Sequence, residues 1–118
     1  MGRRDGWSHA WYPNGQLREQ RLYSAGIKSG RHSGFWENGR PAFRFDFESG
    51  AYHGTCFEWY ASGRLAAIRN FSSGSEDGQQ KSWTDQGKLF ANYYMVAGRR
   101  YGLIGARVCS TVATKVVP

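Results

Sequence analysis

Glycine recurs in this chain at one fixed interval. Gly6, Gly30, Gly54, Gly78 and Gly102 are spaced by 24 residues, as are Gly15, Gly39, Gly63 and Gly87, and again Gly26, Gly50, Gly74 and Gly98. These three columns hold 13 of the 16 glycines. Four units, 6–29, 30–53, 54–77 and 78–101, follow one another without an insertion. A strict internal period marks an array whose units bury surface against their neighbours instead of in one central core. So many glycines also exclude a helical bundle, because Gly costs about 1 kcal/mol per helical position relative to Ala.

Other columns keep the same period. One is aromatic: Trp11, Phe35, Trp59 and Trp83. The next is Tyr12, Trp36, Tyr60 and Thr84, and two more are Leu17, Pro41, Leu65, Leu89 and Tyr23, Phe47, Phe71, Met95. Between the Trp and Leu columns lie Pro13-Asn14-Gly15, Glu37-Asn38-Gly39, Ala61-Ser62-Gly63 and Asp85-Gln86-Gly87. Asn-Gly between apolar runs is a strong short-range hairpin signal, because both residues tolerate positive φ. A three-residue loop with its glycine in the left-handed conformation places Trp11 and Leu17 on one face. It gathers the Trp, Leu and Tyr23-type columns there as a single apolar side. A seven-residue connection with glycine near each end, as from Gly26 to Gly30, leads to the next unit.

The expected fold is therefore all-β: a single-layer antiparallel meander of four 24-residue β-hairpins, eight strands in all. At about 4.8 Å per strand the ribbon is roughly 38 Å long. Residues 1–5 read as an N-terminal extension, 6–102 as the repeats and 103–118 as a tail that breaks the period. In that tail Val108, Val112 and Val116 alternate with polar residues, as in a strand capping an open sheet edge. Leu, Ile, Val and Phe number only 20 of 118, yet aromatics reach 16%. Disordered chains are poor in aromatics, so the composition suits a thin, ring-rich sheet.

The pattern Gly-x4-aromatic-aromatic-x-Asn-Gly-x-Leu, continued by an aromatic residue and two further glycines, resembles the MORN repeat. It is most similar to the bacterial MORN-repeat variant, an antitoxin-like family. His53-Gly54 resembles that family's His-Gly or Lys-Gly opening, and the resemblance spans Gly6 to Gly102. Two features depart from the pattern: a period of 24, slightly longer than the family's, and Pro41 in the Leu column, which is expected to weaken pairing locally. The resemblance implies a non-catalytic ribbon for protein contact or membrane-proximal scaffolding. Phospholipid binding and masking of a partner toxin are the further roles it implies.

The residues carry no catalytic constellation. His9, His32 and His53 fall in different columns without a metal-ligand spacing and read as surface or strand-edge histidines. Asp77 and Asp85 flank turns, as turn chemistry favours. The periodic glycines precede no helix, so they do not form a phosphate loop. No enzyme activity, cofactor or metal is expected. Cys56 and Cys109 read as free thiols, one in a strand and one in the tail, because two cysteines make no disulfide framework.

The net charge is +7, with 12 Arg against 4 Lys. A basic column follows the turns: Arg40, Arg64 and Lys88, with Gln16 in the first unit. Arg21 and Arg69 share a second column. Stacked units hold such charges about 10 Å apart, a linear stripe facing an acidic protein or lipid phosphates. Near an anionic leaflet each basic side chain contributes about 1 kcal/mol, so membrane binding by charge alone is weak. The bland alternative is a solvated polar face. Single-stranded nucleic acid, which stacks on exposed rings, fits less well if the aromatic column lies on the packed face. The expected partner is an unidentified protein, with anionic phospholipid as the alternative. If the chain is complete, the lack of an apolar leader and of a bilayer-spanning stretch leads to the expectation of a cytoplasmic or peripheral-membrane location.

Overall fold

The computed structural model describes residues 5–104 together with 107 and 108, of which Leu103, Ile104, Arg107 and Val108 are described by backbone alone. The turns set the architecture. In unit one the Gly15 N–H donates to the Tyr12 carbonyl at 2.9 Å and the Tyr12 N–H to the Gln16 carbonyl at 2.8 Å. That is a three-residue loop closed by Gly15 at φ +90°, as expected from the sequence. Units two, three and four repeat it at Gly39, Gly63 and Gly87. The loops join β1 (Gly6–Trp11) to β2 (Leu17–Ser24), β4 (Gly30–Phe35) to β5 (Pro41–Glu48), β7 (Gly54–Trp59) to β8 (Leu65–Ser72) and β10 (Gly78–Trp83) to β11 (Leu89–Val96). Every pair is antiparallel, and all strands form one sheet with no helix among the described residues.

The connections between hairpins differ from the seven-residue loops expected. Ala25-Gly26, Ser49-Gly50, Ser73-Gly74 and Ala97-Gly98 each have two consecutive positive φ angles, the non-glycines at 51–53°. Such two-residue turns match the right-handed twist of the strands they join. Three of them lead into short strands, β3 (Ile27–Lys28), β6 (Ala51–Tyr52) and β9 (Ser75–Glu76), and the fourth into β12 (Arg99–Ile104). With β13 (Arg107–Val108) this makes thirteen strands in place of eight. Ten of these follow one another across the sheet, with β3, β6 and β9 off that path, and the longest dimension is 51 Å and the thinnest 16 Å. Val112, Val116 and Cys109 lie outside the described residues.

Pro41 sits at the first position of β5, opposite Phe35, where a strand tolerates proline. β5 is as long as its counterparts, so the expected local weakening is not seen.

One feature revises the expected faces. In every hairpin the register shifts next to the turn: Trp11 faces Leu17, but Ala10 faces Glu19, so Arg18 is an extra, bulged residue. The same shift follows Gly34, Glu58 and Ser82. A one-residue slip sends all later side chains to the opposite face. Trp11 and Leu17 therefore share a face, as expected, but Tyr23, Phe47, Phe71 and Met95 lie on the other. The front is the side carrying the Trp column, and the back is the side carrying the Tyr23 column.

The back is where the chain buries most. Phe47, Cys56, Ala67, Tyr93, His32 and Gln80 are all buried there. The rings of Tyr23, His32, Phe47, Tyr52 and Phe71 follow one another at centroid distances of 4.6–5.7 Å. An aromatic ladder does replace a thick core, but it is built on this column and not on the Trp column. On the same face Gly34 makes room for the Phe43 ring, which a Cβ there would meet at 2.1 Å.

Candidate functional site

Neighbouring hairpins pair sparingly. Between β2 and β4 only Glu19 with Gly34 and Gln20 with Ser33 are paired, because the chain from Lys28 to Ser33 carries two residues more than its partner strand. The gap exposes the carbonyl of Leu22, and of its equivalents Asp46 and Asn70, inside the sheet. Each accepts a main-chain N–H, from Ser29, His53 or Asp77. A side chain from the next unit closes the rest. His32 Nε2 lies 2.8 Å from the Leu22 carbonyl, Gln80 Nε2 donates to the Asn70 carbonyl at 2.7 Å, and Cys56, buried at the equivalent position, is hydrogen-bonded to the Asp46 backbone.

This plug column corrects the surface reading of His32, which is 1% exposed. Burial pushes its imidazole pKa down, and nearby Arg21 and Lys28 act in the same direction. Burial likewise pushes the Cys56 thiol up, and Cys56 is free, as expected. His9 and His53 are exposed, His53 beside Glu48 at 3.4 Å.

The turn edge is tied by side chains reaching one unit forward. Tyr12 and Tyr60 hydroxyls donate to the Phe35 and Trp83 carbonyls at 2.7 Å, and Trp36 Nε1 to the Trp59 carbonyl at 3.1 Å. Asn14 and Asn38 donate to Glu37 and Ala61 carbonyls. The basic column takes part. Arg40 Nη1 donates to the Ser62 carbonyl, and Arg64 Nη1 lies 3.4 Å from the Asp85 carbonyl. Arg40, Arg64 and Lys88 are exposed along this edge, so they form a line, but two of them also brace the next turn.

Arg21 and Arg69 are not part of that line. They sit on the back, paired with Glu19 at 2.8 Å and with Glu58 at 3.3 Å. The Arg21 hydrogen bond holds the Glu19 carboxyl below its ordinary range. Tyr93 holds a similar back position in unit four, its pKa pushed to about 12 by burial and by its hydrogen bond to Glu76.

The front is the sparsely covered side. Near the turns the paired residues Trp11 and Leu17, Phe35 and Pro41, Trp59 and Leu65, and Trp83 and Leu89 make one apolar band across all four units. Trp11 is 59% exposed and Leu89 43%. Trp7, 54% exposed, lies farther along β1, and its ring, that of His9 and that of Trp11 follow one another at 6.1–6.4 Å. Cations lie on this face over rings: Arg44 over Phe57 at 4.7 Å and Lys81 over Trp83 at 5.8 Å. A groove of about 360 Å³ opens between units two and three, lined by Phe35, Pro41, Arg44, Trp59, Arg31 and Ser33. Neither the bulge nor the plug column was visible from the sequence. The bulged residues Arg18, Ala42, Ala66 and Phe90 share no chemistry, and Ser8, His32, Cys56 and Gln80 share only the capacity to hydrogen-bond.

Among the described residues no cluster of His, Cys, Asp or Glu is placed to hold a metal ion, and no helix is long and apolar enough to cross a membrane. Comparison with curated proteins finds no match. Comparison with solved structures finds none either. The family model of the MORN repeat variant matches residues 10–25, the end of β1, the first turn and all of β2. This match, on the segment whose spacing the other three units repeat, supports a MORN repeat protein, a repeat type that serves generally in protein or membrane interaction.

Proposed function

We propose that the chain is a non-catalytic interaction module that binds a protein partner with its front face. The observation that carries this is the continuous apolar band from Trp11 to Leu89, bordered by Arg40, Arg64, Lys88, Arg44 and Lys81, on a sheet whose other face holds the buried rings. Exposed Trp and Arg are the residue types enriched at interfaces. Masking of a toxin is one form such binding would take in an antitoxin-like protein.

A photo-crosslinking residue in place of Trp11, compared with one in place of Tyr52 on the back, tests the reading. Crosslinks to a protein at position 11 and not at 52 are expected. Equal labelling at both positions would remove the assignment of the front face. The second reading, peripheral binding to anionic phospholipid, is favoured by the exposed line Arg40, Arg64 and Lys88. Sedimentation with anionic liposomes at low salt, lost on charge reversal at those three positions, would establish it instead.

A further inference from the structure

The front band has a spacing, and the spacing selects a ligand conformation. Equivalent residues of successive units are two strands apart, about 9.6 Å. A helical ligand places residues on one face about every 10.5 Å, seven residues at 1.5 Å each, so over the three intervals from Trp11 to Trp83 it drifts by about 3 Å. An extended strand repeats its face every two residues, about 6.7 Å, and does not match. Polyproline II repeats its face every three residues, about 9.3 Å, and drifts by only about 1 Å over the same three intervals.

The lining agrees. Aromatic rings and Pro41 form the walls of the groove at units two and three, and aromatic-lined grooves are what polyproline II segments dock into. The backbone of that helix has no internal hydrogen bonds, and indole N–H groups donate. Charge specifies the rest. On the front and its turn edge stand Arg40, Arg44, Arg64, Lys81 and Lys88, with Arg31 paired to Asp46 at 3.1 Å, against Glu37 and Asp85 in the turns and Glu48 beside His53 at the far end of β5. Glu19 and Glu58 neutralise Arg21 and Arg69 on the back. The positive surplus therefore borders the band.

We infer that the front face takes a proline-rich, acidic peptide segment in the polyproline II conformation, lying across the strands with one proline turn per unit. This rests on the reading that the front binds a protein. The ligand has Pro or another apolar residue every third position and Asp or Glu between.

The test uses the whole chain and a synthetic peptide, (Pro-Pro-Glu)4, whose 12 residues span about 37 Å. Tryptophan fluorescence and indole N–H NMR shifts report binding. Expected are shifts at Trp59 and Trp83 and a Kd about tenfold or more below that of (Pro-Pro-Glu)2, since the shorter peptide reaches only half the units. A charge-inverted (Pro-Pro-Lys)4 should not bind. Trp11→Ala with Leu89→Ala, exposed members at the two ends of the band, should weaken binding about tenfold while leaving circular dichroism unchanged. Arg44→Glu gives an independent loss without removing apolar contact.

No binding of (Pro-Pro-Glu)4 at millimolar concentration overturns the inference. If an acidic amphipathic helix of equal length shifts the same indoles in its place, the polyproline conformation is wrong and the protein-binding reading stands. If only anionic vesicles or an oligo(dT) strand engage the band, both fail.

Discussion

At the residue scale the most consequential side chain is His32. It is buried and hydrogen-bonded to the Leu22 carbonyl, its Nδ1 is enclosed without a partner, and burial favours its neutral form. The unfolded chain takes up that proton near pH 6.5, whereas burial holds the folded pKa lower. The stability it contributes is thus complete above about pH 6.5 and is lost as pH falls through the folded pKa. Unit four solves the same problem with Gln80. His32→Gln should keep stability within about 1 kcal/mol at pH 7.5 and make the variant lose less than the native chain between pH 7.5 and 5, read as urea midpoints. An unchanged pH dependence would assign the acid sensitivity elsewhere. The histidine was easy to see in the sequence, but its burial was not. A lone His beside Arg31 in a strand looks exposed until the two extra residues between Lys28 and Ser33 open a carbonyl behind it.

At the element scale, the turns were the most legible part and the strands between them the least. Asn14-Gly15 announces a three-residue loop through glycine's tolerance of positive φ, a local property. The bulge at Arg18 arises from how two strands of unequal length close on that loop, and no residue type marks it, so the Tyr23 column was placed on the wrong face. The second set of turns departs from preference, with Ser49, Ser73, Ala25 and Ala97 at φ 51–53°. Asn suits that conformation better. Ser49→Asn with Ser73→Asn should stabilise the ribbon by about 0.5–1 kcal/mol, measured by chemical denaturation; no gain would mean that these serines contribute elsewhere. Tyr60→Phe removes the hydroxyl that donates to the Trp83 carbonyl and should cost about 1 kcal/mol with its ring packing kept.

At the scale of the whole molecule, the period of 24 already contained the architecture: an open sheet lengthened by repetition, thin and ring-rich. The site was legible only in part. The Arg40, Arg64 and Lys88 line exists, but Arg21 and Arg69 belong to the other side, because the bulge turns their column to the back, where Arg21 meets Glu19 two residues earlier on its own strand and Arg69 meets Glu58 across on β7. Units that touch mainly their neighbours have nearly additive stability. Deleting residues 54–77, one full period, should give a folded, shorter sheet with a β-type circular dichroism spectrum and a lower denaturation midpoint; collapse to an unfolded chain would show that units three and four depend on each other specifically. The direction of the turn-edge ties has one more consequence. Tyr12, Trp36, Tyr60, Asn14, Asn38 and Arg40 all reach toward the unit that is made after their own. During synthesis a hairpin closes in microseconds, but 24 further residues take roughly 1–5 s to appear. Each unit therefore matures one unit behind the ribosome, held open at its turn edge until its successor emerges.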